Sequence, residues 1–403
     1  MNDEKLLDRS IPTRTANIRS PRSDAIDIPV ARPRLPTTER IEPYLRQIDA
    51  NQWYTNQGPL CETLQERLGR FWEMDYDNVA LVNSATTGLT LALRAHAPRP
   101  GSRCLMPSWT FTASAAAVTD AGLVPHFVDV DPDTWMPDPD NVECLARSPD
   151  IGAILIVVPF GSPIDLTVWD AVSQRTGRPV VIDAAAAFDT LRSGGPMRIG
   201  RSTVVISLHA TKVFGMGEGG AVVSRDPALA EHIRALARFG FAGSRSAQHA
   251  GINGKISEYT AAVGLAGLDV WAETRSRWDA VTRLYHNLLP ASVRLPPAFG
   301  RNWVSSTLAV ICPEKSNDVA GILATHRIGT VSWWGTGCHT QPAYASCPRE
   351  QLPMTQQYGC RAIGLPFSQD MTAEQVMYVC TTLRNILPAE SRAPRFAAST
   401  NFA

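Results

Sequence analysis

Between residues 79 and 224, short apolar runs rich in β-branched residues alternate with stretches of helical spacing. The runs are Val79–Val82, Arg103–Met106, His126–Val130, Ala153–Val158, Pro179–Asp183, Thr203–Leu208 and Ala221–Ser224. Between and just after them, Thr87–His96, Thr112–Ala121, Thr167–Thr176 and Pro227–Arg238 carry apolar residues at helical intervals. This alternation predicts an α/β fold, a mostly parallel seven-stranded sheet flanked by helices on both faces. Ligands in such sheets bind at the carboxyl ends of the strands.

Beyond Trp271 the texture changes. A long helical pattern is followed by short strand-like runs such as Ser306–Ile311 and a final helix near Ala373–Leu387. The predicted organisation is a large domain over 36–270, opening with a helical segment, and a smaller α+β carboxyl-terminal domain over 271–390. Residues 1–35 are polar and rich in Arg and Pro, without an apolar period, which predicts a mobile arm. Residues 391–403 read as a loose tail, and no internal repeat is visible.

Composition narrows the function classes. The 403 residues, 44% of them hydrophobic, are ample for a large core and more than one domain. Lys plus Arg and Asp plus Glu both total 38, so no net field favours nucleic acid or an anionic membrane. The eight cysteines form no C-x-x-C pair and several lie in apolar runs, which suits reduced thiols in a cytoplasmic protein and argues against a metal site. The charged start Met-Asn-Asp-Glu-Lys has no apolar stretch of an export signal, and no run approaches the roughly 18 apolar residues of a membrane span.

Candidate chemistry gathers at the strand ends. Lys212 follows the run Thr203–Leu208 and precedes Gly215-Met-Gly-Glu-Gly-Gly220, where a Schiff-base lysine would sit. Asp183 closes another apolar run and can place a carboxylate at the same sheet edge, a combination suited to pyridoxal phosphate. The glycines also fit G-x-G-x-x-G, but the apolar Ala221-Val-Val-Ser224 that follows is strand-like rather than helical. They therefore predict a strand-to-strand turn, not a dinucleotide site. Val79–Val82 runs into Asn83-Ser-Ala-Thr-Thr-Gly88 and a helix, so backbone N–H groups and the hydroxyls of Ser84, Thr86 and Thr87 can form an anion cradle.

With these features in order, the chain resembles the pyridoxal-phosphate-dependent nucleotide-sugar aminotransferases of the DegT/StrS type, a branch of the fold-type-I aminotransferases. The resemblance runs from about Thr38 to Leu387. It is carried by Trp53-Tyr-Thr-Asn-Gln-Gly-Pro59, Asn83-Ser-Ala-Thr-Thr-Gly-Leu89, Pro107-Ser-Trp-Thr-Phe-Thr-Ala-Ser114, Phe127-Val-Asp-Val-Asp131, Asp183-Ala-Ala-Ala-Ala187, Ser207-Leu-His-Ala-Thr-Lys212, Gly217-Glu-Gly-Gly220 and Asn253-Gly-Lys-Ile-Ser-Glu258.

The resemblance implies that Lys212 bonds the cofactor aldehyde and then moves a proton between substrate and cofactor, while Asp183 pairs with the ring nitrogen. It implies that Phe111 stacks on the ring, that Ala85, Thr86 and Ser207 hold the phosphate, and that Asn253 reaches the phosphate of a neighbouring subunit in a homodimer with shared sites. His209 has no implied role as the base. The implied activity moves an amino group from an amino acid such as L-glutamate to a keto-deoxysugar nucleotide, for amino-sugar biosynthesis in a polysaccharide or glycosylated metabolite. The cofactor would alternate between its pyridoxal and pyridoxamine forms.

Three departures from the family pattern stand out. Ala186 replaces a polar residue near the ring, Lys255 stands where Arg is usual, and Pro159-Phe-Gly161 replaces a His-containing motif. They keep two alternatives open. One is a sugar dehydratase, against which Lys212 counts because related dehydratases carry histidine there. The other is a binding or regulatory protein that retains the cofactor without turnover. Trp109, Trp333, Trp334 and His339 are candidates for sugar or nucleotide contact, with core or interface packing as the alternative for each tryptophan.

Overall fold

The seven apolar runs form one sheet in the computed structural model, which describes residues 28–387. Its strands are β1 (Val79–Val82), β2 (Arg103–Pro107), β3 (Val124–Val128), β4 (Ile151–Val157), β5 (Val180–Asp183), β6 (Thr203–Ser207) and β7 (Gly220–Val223), in the order β1-β7-β6-β5-β4-β2-β3. β7 is antiparallel to both of its neighbours, and the other pairings are parallel. The carboxyl ends of β1 to β6 therefore line one sheet edge, together with the amino end of β7.

Twelve α-helices occur among the described residues. α1 (Thr38–Asn51) and α2 (Pro59–Phe71) precede the sheet. α3 (Ala85–Ala95), α4 (Thr112–Asp120), α5 (Pro139–Ala146), α6 (Leu166–Thr176) and α7 (Pro227–Ala237) interleave with it or follow it. α8 (Glu258–Asp269) and α9 (Trp271–Leu288) meet at Val270. α10 (Ser316–Thr325), α11 (Pro353–Gly359) and α12 (Ala373–Ile386) complete the set, with β8 (Leu308–Ile311) and β9 (Ala362–Leu365) pairing antiparallel as a separate two-stranded sheet.

Burial on both faces explains the unbroken apolar runs. Val180 and Ile182 of β5 and Val204 and Ile206 of β6 join a core with α2, α6, α8 and α9 residues. The intervening Val181 and Val205 join the opposite core with α3, α4 and α7 residues. The period of two thus sends alternate side chains into two apolar layers.

β3 begins and ends two residues earlier than the pattern predicts. Asp129 leaves the ladder because its carboxylate caps α11, accepting the Met354 and Thr355 N–H groups and the Thr355 hydroxyl, each at 2.7 Å. Asp131 then accepts N–H groups of Asp133 and Thr134, both at 2.9 Å, and turns the chain away from the sheet.

The amino-terminal arm needs a correction over its described part. Ile28 is buried, its N–H donates to the Arg327 carbonyl at 3.2 Å, and its carbonyl accepts from Gly329 N–H at 2.8 Å. Phe367 N–H donates to the Val30 carbonyl at 2.9 Å, so residues 28–30 are clipped to the segments that follow α10 and β9. Residues 1–27 of the expected arm and the whole expected tail 391–403 lie outside the described residues.

No described helix is long and apolar enough to cross a membrane. The eight cysteines are free thiols, with Cys61, Cys104, Cys312, Cys338 and Cys380 buried.

Candidate active site

Asp183 ends β5 with 6% of its surface exposed. The Ser114 hydroxyl donates to its Oδ2 at 2.7 Å and the Ala185 N–H to its Oδ1 at 3.2 Å. Burial pushes the Asp183 carboxyl above the usual range, opposed by the Ser114 and Ala185 hydrogen bonds and by the charge of Lys212. The converse holds at Lys212, where burial lowers the ammonium pKa and Asp183 opposes it. Lys212 is half-buried. The two residues are therefore an electrostatically coupled acid and amine, each held away from its ordinary titration range.

The glycine segment after Lys212 makes the turn that the sequence predicts. Leu208 N–H donates to Gly219 O at 3.0 Å and Ala210 N–H to Gly217 O at 2.7 Å, while Gly217 has φ +92°. The left-handed φ favours glycine there. β7 then pairs with β6 in a register that sets Gly220 opposite Ser207.

That pairing brings the phosphate-cradle candidates together. Ser84 caps α3, its Oγ accepting the Thr87 N–H at 3.1 Å, so Ala85 and Thr86 open the helix with N–H groups that have no intrahelical partner. A Cβ at Gly220 would lie 2.7 Å from the Ala85 nitrogen, so the close approach of β7 to the helix start requires glycine. Ser207 is buried on the adjacent strand, and its N–H donates to the Ala185 carbonyl at 3.3 Å. Asp183, Ser207, Ala85 and Thr86 thus stand along neighbouring strand ends.

Phe111 is 57% exposed, whereas Trp109 is fully buried and Thr110 nearly so. A core residue would be covered, so Phe111 is instead a large apolar ring displayed at the N-cap position of α4.

Asn253 lies beside the residue that precedes the cradle. Asn83 donates its N–H to Gly254 O at 2.7 Å and its side-chain amide to Asn253 O at 3.3 Å. Within the chain the Asn253 side chain accepts from Lys255, whose ammonium also sits 4.9 Å from the centre of the Phe239 ring. His209 is hydrogen-bonded, its Nδ1 meeting the Thr211 hydroxyl at 2.8 Å. Thr211 N–H also donates to that nitrogen, which leaves the neutral ring's proton on Nε2, 3.5 Å from Glu218.

Of the four candidates for sugar or nucleotide contact, Trp109 packs among Trp135, Phe160, Trp334 and Tyr358, with no surface to offer a ligand. Trp334 stacks on Phe160 at 4.2 Å, and Trp333 and Trp334 are half-buried. His339 is buried with Nδ1 2.7 Å from the Ser108 hydroxyl. Two of the sequence departures prove to be neighbours. Gly161, at φ +88°, approaches the Ala186 carbonyl so closely that a Cβ would lie 2.4 Å from it.

The polar support behind Asp183 escaped the sequence reading. Ser114 Oγ is 3.0 Å from Thr110 Oγ1, so two buried hydroxyls stand in line behind the carboxylate. Both residues lie inside a quoted motif, yet nothing in their spacing points across 69 residues to Asp183.

These groups fit pyridoxal phosphate. The buried carboxylate suits a protonated ring nitrogen, the amine an aldehyde, the displayed phenyl ring a flat heterocycle, and the glycine-backed helix start a phosphate.

Comparison with known proteins agrees with that fit. Residues 36–384 match the DegT/DnrJ/EryC1/StrS aminotransferase family. The chain is 31% identical over 379 residues to Protein Rv3402c of Mycobacterium tuberculosis, covering 89% of each. It is 30% identical over 371 residues to the dTDP-4-amino-4,6-dideoxy-D-glucose transaminase of Escherichia coli, covering 88% of this chain and 98% of that enzyme. The crystal structure of DesI in the presence of its TDP-sugar product superposes with a TM-score of 0.79 at 30% identity, covering 89% of this chain and 92% of DesI. The chain belongs to the DegT/DnrJ/EryC1/StrS family and is a pyridoxal-phosphate-dependent aminotransferase of fold type I.

Proposed function

We propose that the enzyme takes an amino group from an amino-acid donor, L-glutamate, and delivers it to the keto group of a nucleotide-linked deoxysugar. The observation that carries this reading is the coupled Asp183–Lys212 pair beside the Ser84–Thr86 helix start. The Escherichia coli relative and DesI, named for a dTDP-sugar and seen with a TDP-sugar product, support the acceptor class.

When bound, pyridoxal phosphate supplies an aldehyde to receive nitrogen and a ring that accepts electrons from the cleaved C–H bond. Asp183 keeps the ring nitrogen protonated by pairing with it. The lowered pKa of Lys212 leaves more of its amine neutral, and so able to move a proton between the donor's α-carbon and the cofactor. Phe111 covers one face of the ring, while Ala85, Thr86 and Ser207 hold the phosphate. Asn253 serves the phosphate of a second copy of the chain. The exposed Trp53, Tyr54, Phe239, Ile252 and Tyr259 support such a pairing, since a monomer would leave these large apolar groups in water.

The test is the visible absorption of the purified protein before and after L-glutamate, with Lys212→Ala alongside. Bleaching of the cofactor band in wild type but not in the variant is expected. The amine-loaded enzyme is then offered keto-sugar nucleotides in a single turnover. Failure on every C3 and C4 keto-sugar would overturn the acceptor assignment. Cofactor uptake without exchange of the glutamate α-proton would favour a binding protein instead.

A further inference from the structure

The hydroxyls behind Asp183 form a chain whose direction can be worked out. Ser114 Oγ carries one hydrogen, and at 2.7 Å from Oδ2 of a carboxylate that hydrogen is given to Asp183. Ser114 Oγ can therefore only accept in its 3.0 Å contact with Thr110, which makes Thr110 the donor. The order is Thr110 to Ser114 to Asp183. None of the three is more than 6% exposed, so water does not readily substitute for either hydroxyl. A proton on Asp183 Oδ2 aimed at Ser114 would have to reverse both bonds, so the chain as ordered keeps that oxygen an acceptor.

The same turn does two jobs. Residues 110 and 114 flank Phe111, and Ser114 N–H donates to the Phe111 carbonyl at 3.1 Å. One helical turn thus presents the phenyl ring outward and two hydroxyls inward. Lys212 is the charged group that faces Asp183, and its amine is committed to the chemistry. Ser114 and the Ala185 N–H have no such task, and only Ser114 is a side chain.

We propose that Ser114, backed by Thr110, is a positioning residue that holds Asp183 as a carboxylate aimed at the cofactor ring nitrogen. This rests on the cofactor roles proposed above for Asp183 and Lys212. The contribution comes from a buried hydroxyl that takes no other part in the chemistry.

The test compares wild type, Ser114→Ala, Ser114→Thr and Thr110→Val. Three readouts are the affinity of the cofactor-free chain for pyridoxal phosphate, the pH midpoint of the bound cofactor's visible band, and the unfolding midpoint without cofactor. Ser114→Ala should weaken cofactor binding about tenfold and move the spectral midpoint by about one pH unit, one unit being a tenfold change in an equilibrium constant. Ser114→Thr should restore both to within about twofold, and Thr110→Val should give a smaller shift in the same direction. In an Asp183→Asn background, Ser114→Ala should change little, because its partner charge is gone. Undiminished effects in that background would make Ser114 a packing residue and overturn the proposal, as would unchanged affinity and midpoint in Ser114→Ala. A wild-type chain that takes up no cofactor would overturn the underlying reading before any variant is compared.

Discussion

Phe111→Ala separates a ligand-facing ring from a core ring by two measurements on one variant. The side chain is 57% exposed, so less than half of it is removed from water by the chain itself. Full burial of a phenylalanine contributes about 3 kcal/mol, so the cofactor-free variant should lose about 1 kcal/mol of stability. A fully buried phenylalanine would cost about 3–5 kcal/mol. Stacking on a flat ring is worth about 0.5–1.5 kcal/mol, and covering about half of the remaining surface adds about 1 kcal/mol. Cofactor binding should then weaken by about 1.5–2.5 kcal/mol, a rise in Kd of about tenfold to sixtyfold. Urea unfolding of the cofactor-free chain reads the first quantity. Fluorescence titration with pyridoxal phosphate reads the second, in a Lys212→Ala background so that only non-covalent contacts count. A stability loss above about 3 kcal/mol with unchanged Kd would refute the reasoning, since it would place the ring in the core.

Two further outcomes follow from buried carboxylates. Glu258 accepts the Leu60 N–H at 2.8 Å and the Cys61 N–H at 3.0 Å at the start of α2, with 1% of its surface exposed. Glu258→Ala strands both donors, at about 1–3 kcal/mol each, so urea unfolding should register a loss of about 2–6 kcal/mol, and a loss below 1 would mean that water replaces the carboxylate. Asp183 has a raised carboxyl pKa in the folded chain, so the folded state is disfavoured once the unfolded group ionises. The stability it permits is complete below about pH 4 and declines as pH rises through the folded pKa. Cofactor-free Asp183→Asn, which lacks that ionisation, should gain on wild type as pH rises above about 4, while losing transamination. A wild-type advantage that grows with pH would contradict the direction of the shift.

Much of the sheet is legible because burial on both faces leaves apolar runs that no other element requires at such short length. Lys212, Asp183 and the Ser84 cap are legible because each sits where a strand ends. What is not legible depends on side chains meeting across the fold. The exit of β3 at Asp129 is decided by the start of α11, 225 residues away. Ser114 looks like a small helix residue until β5 is placed behind it. α8 carries apolar and small residues all around and is buried on several sides, so its spacing gives no amphipathic signal to separate it from a loop. Residues 28–30, Ile-Pro-Val, are too short a run to name a partner, yet backbone hydrogen bonds fasten them.

The place of β1 in the sheet bears on how the chain is made. Among the described residues β1 has one strand neighbour, β7, which is synthesised more than 130 residues later. At about 5–20 residues per second, the earliest strand to leave the ribosome waits on the order of ten seconds for the partner that fixes it. The β2–β6 portion can pair in the meantime, so the phosphate cradle, though encoded near the beginning of the sheet, is among the last parts of the site to assemble. Ribosome-stalled chains ending before Gly220 should accordingly carry Asp183 and Lys212 without a cradle to hold the anion.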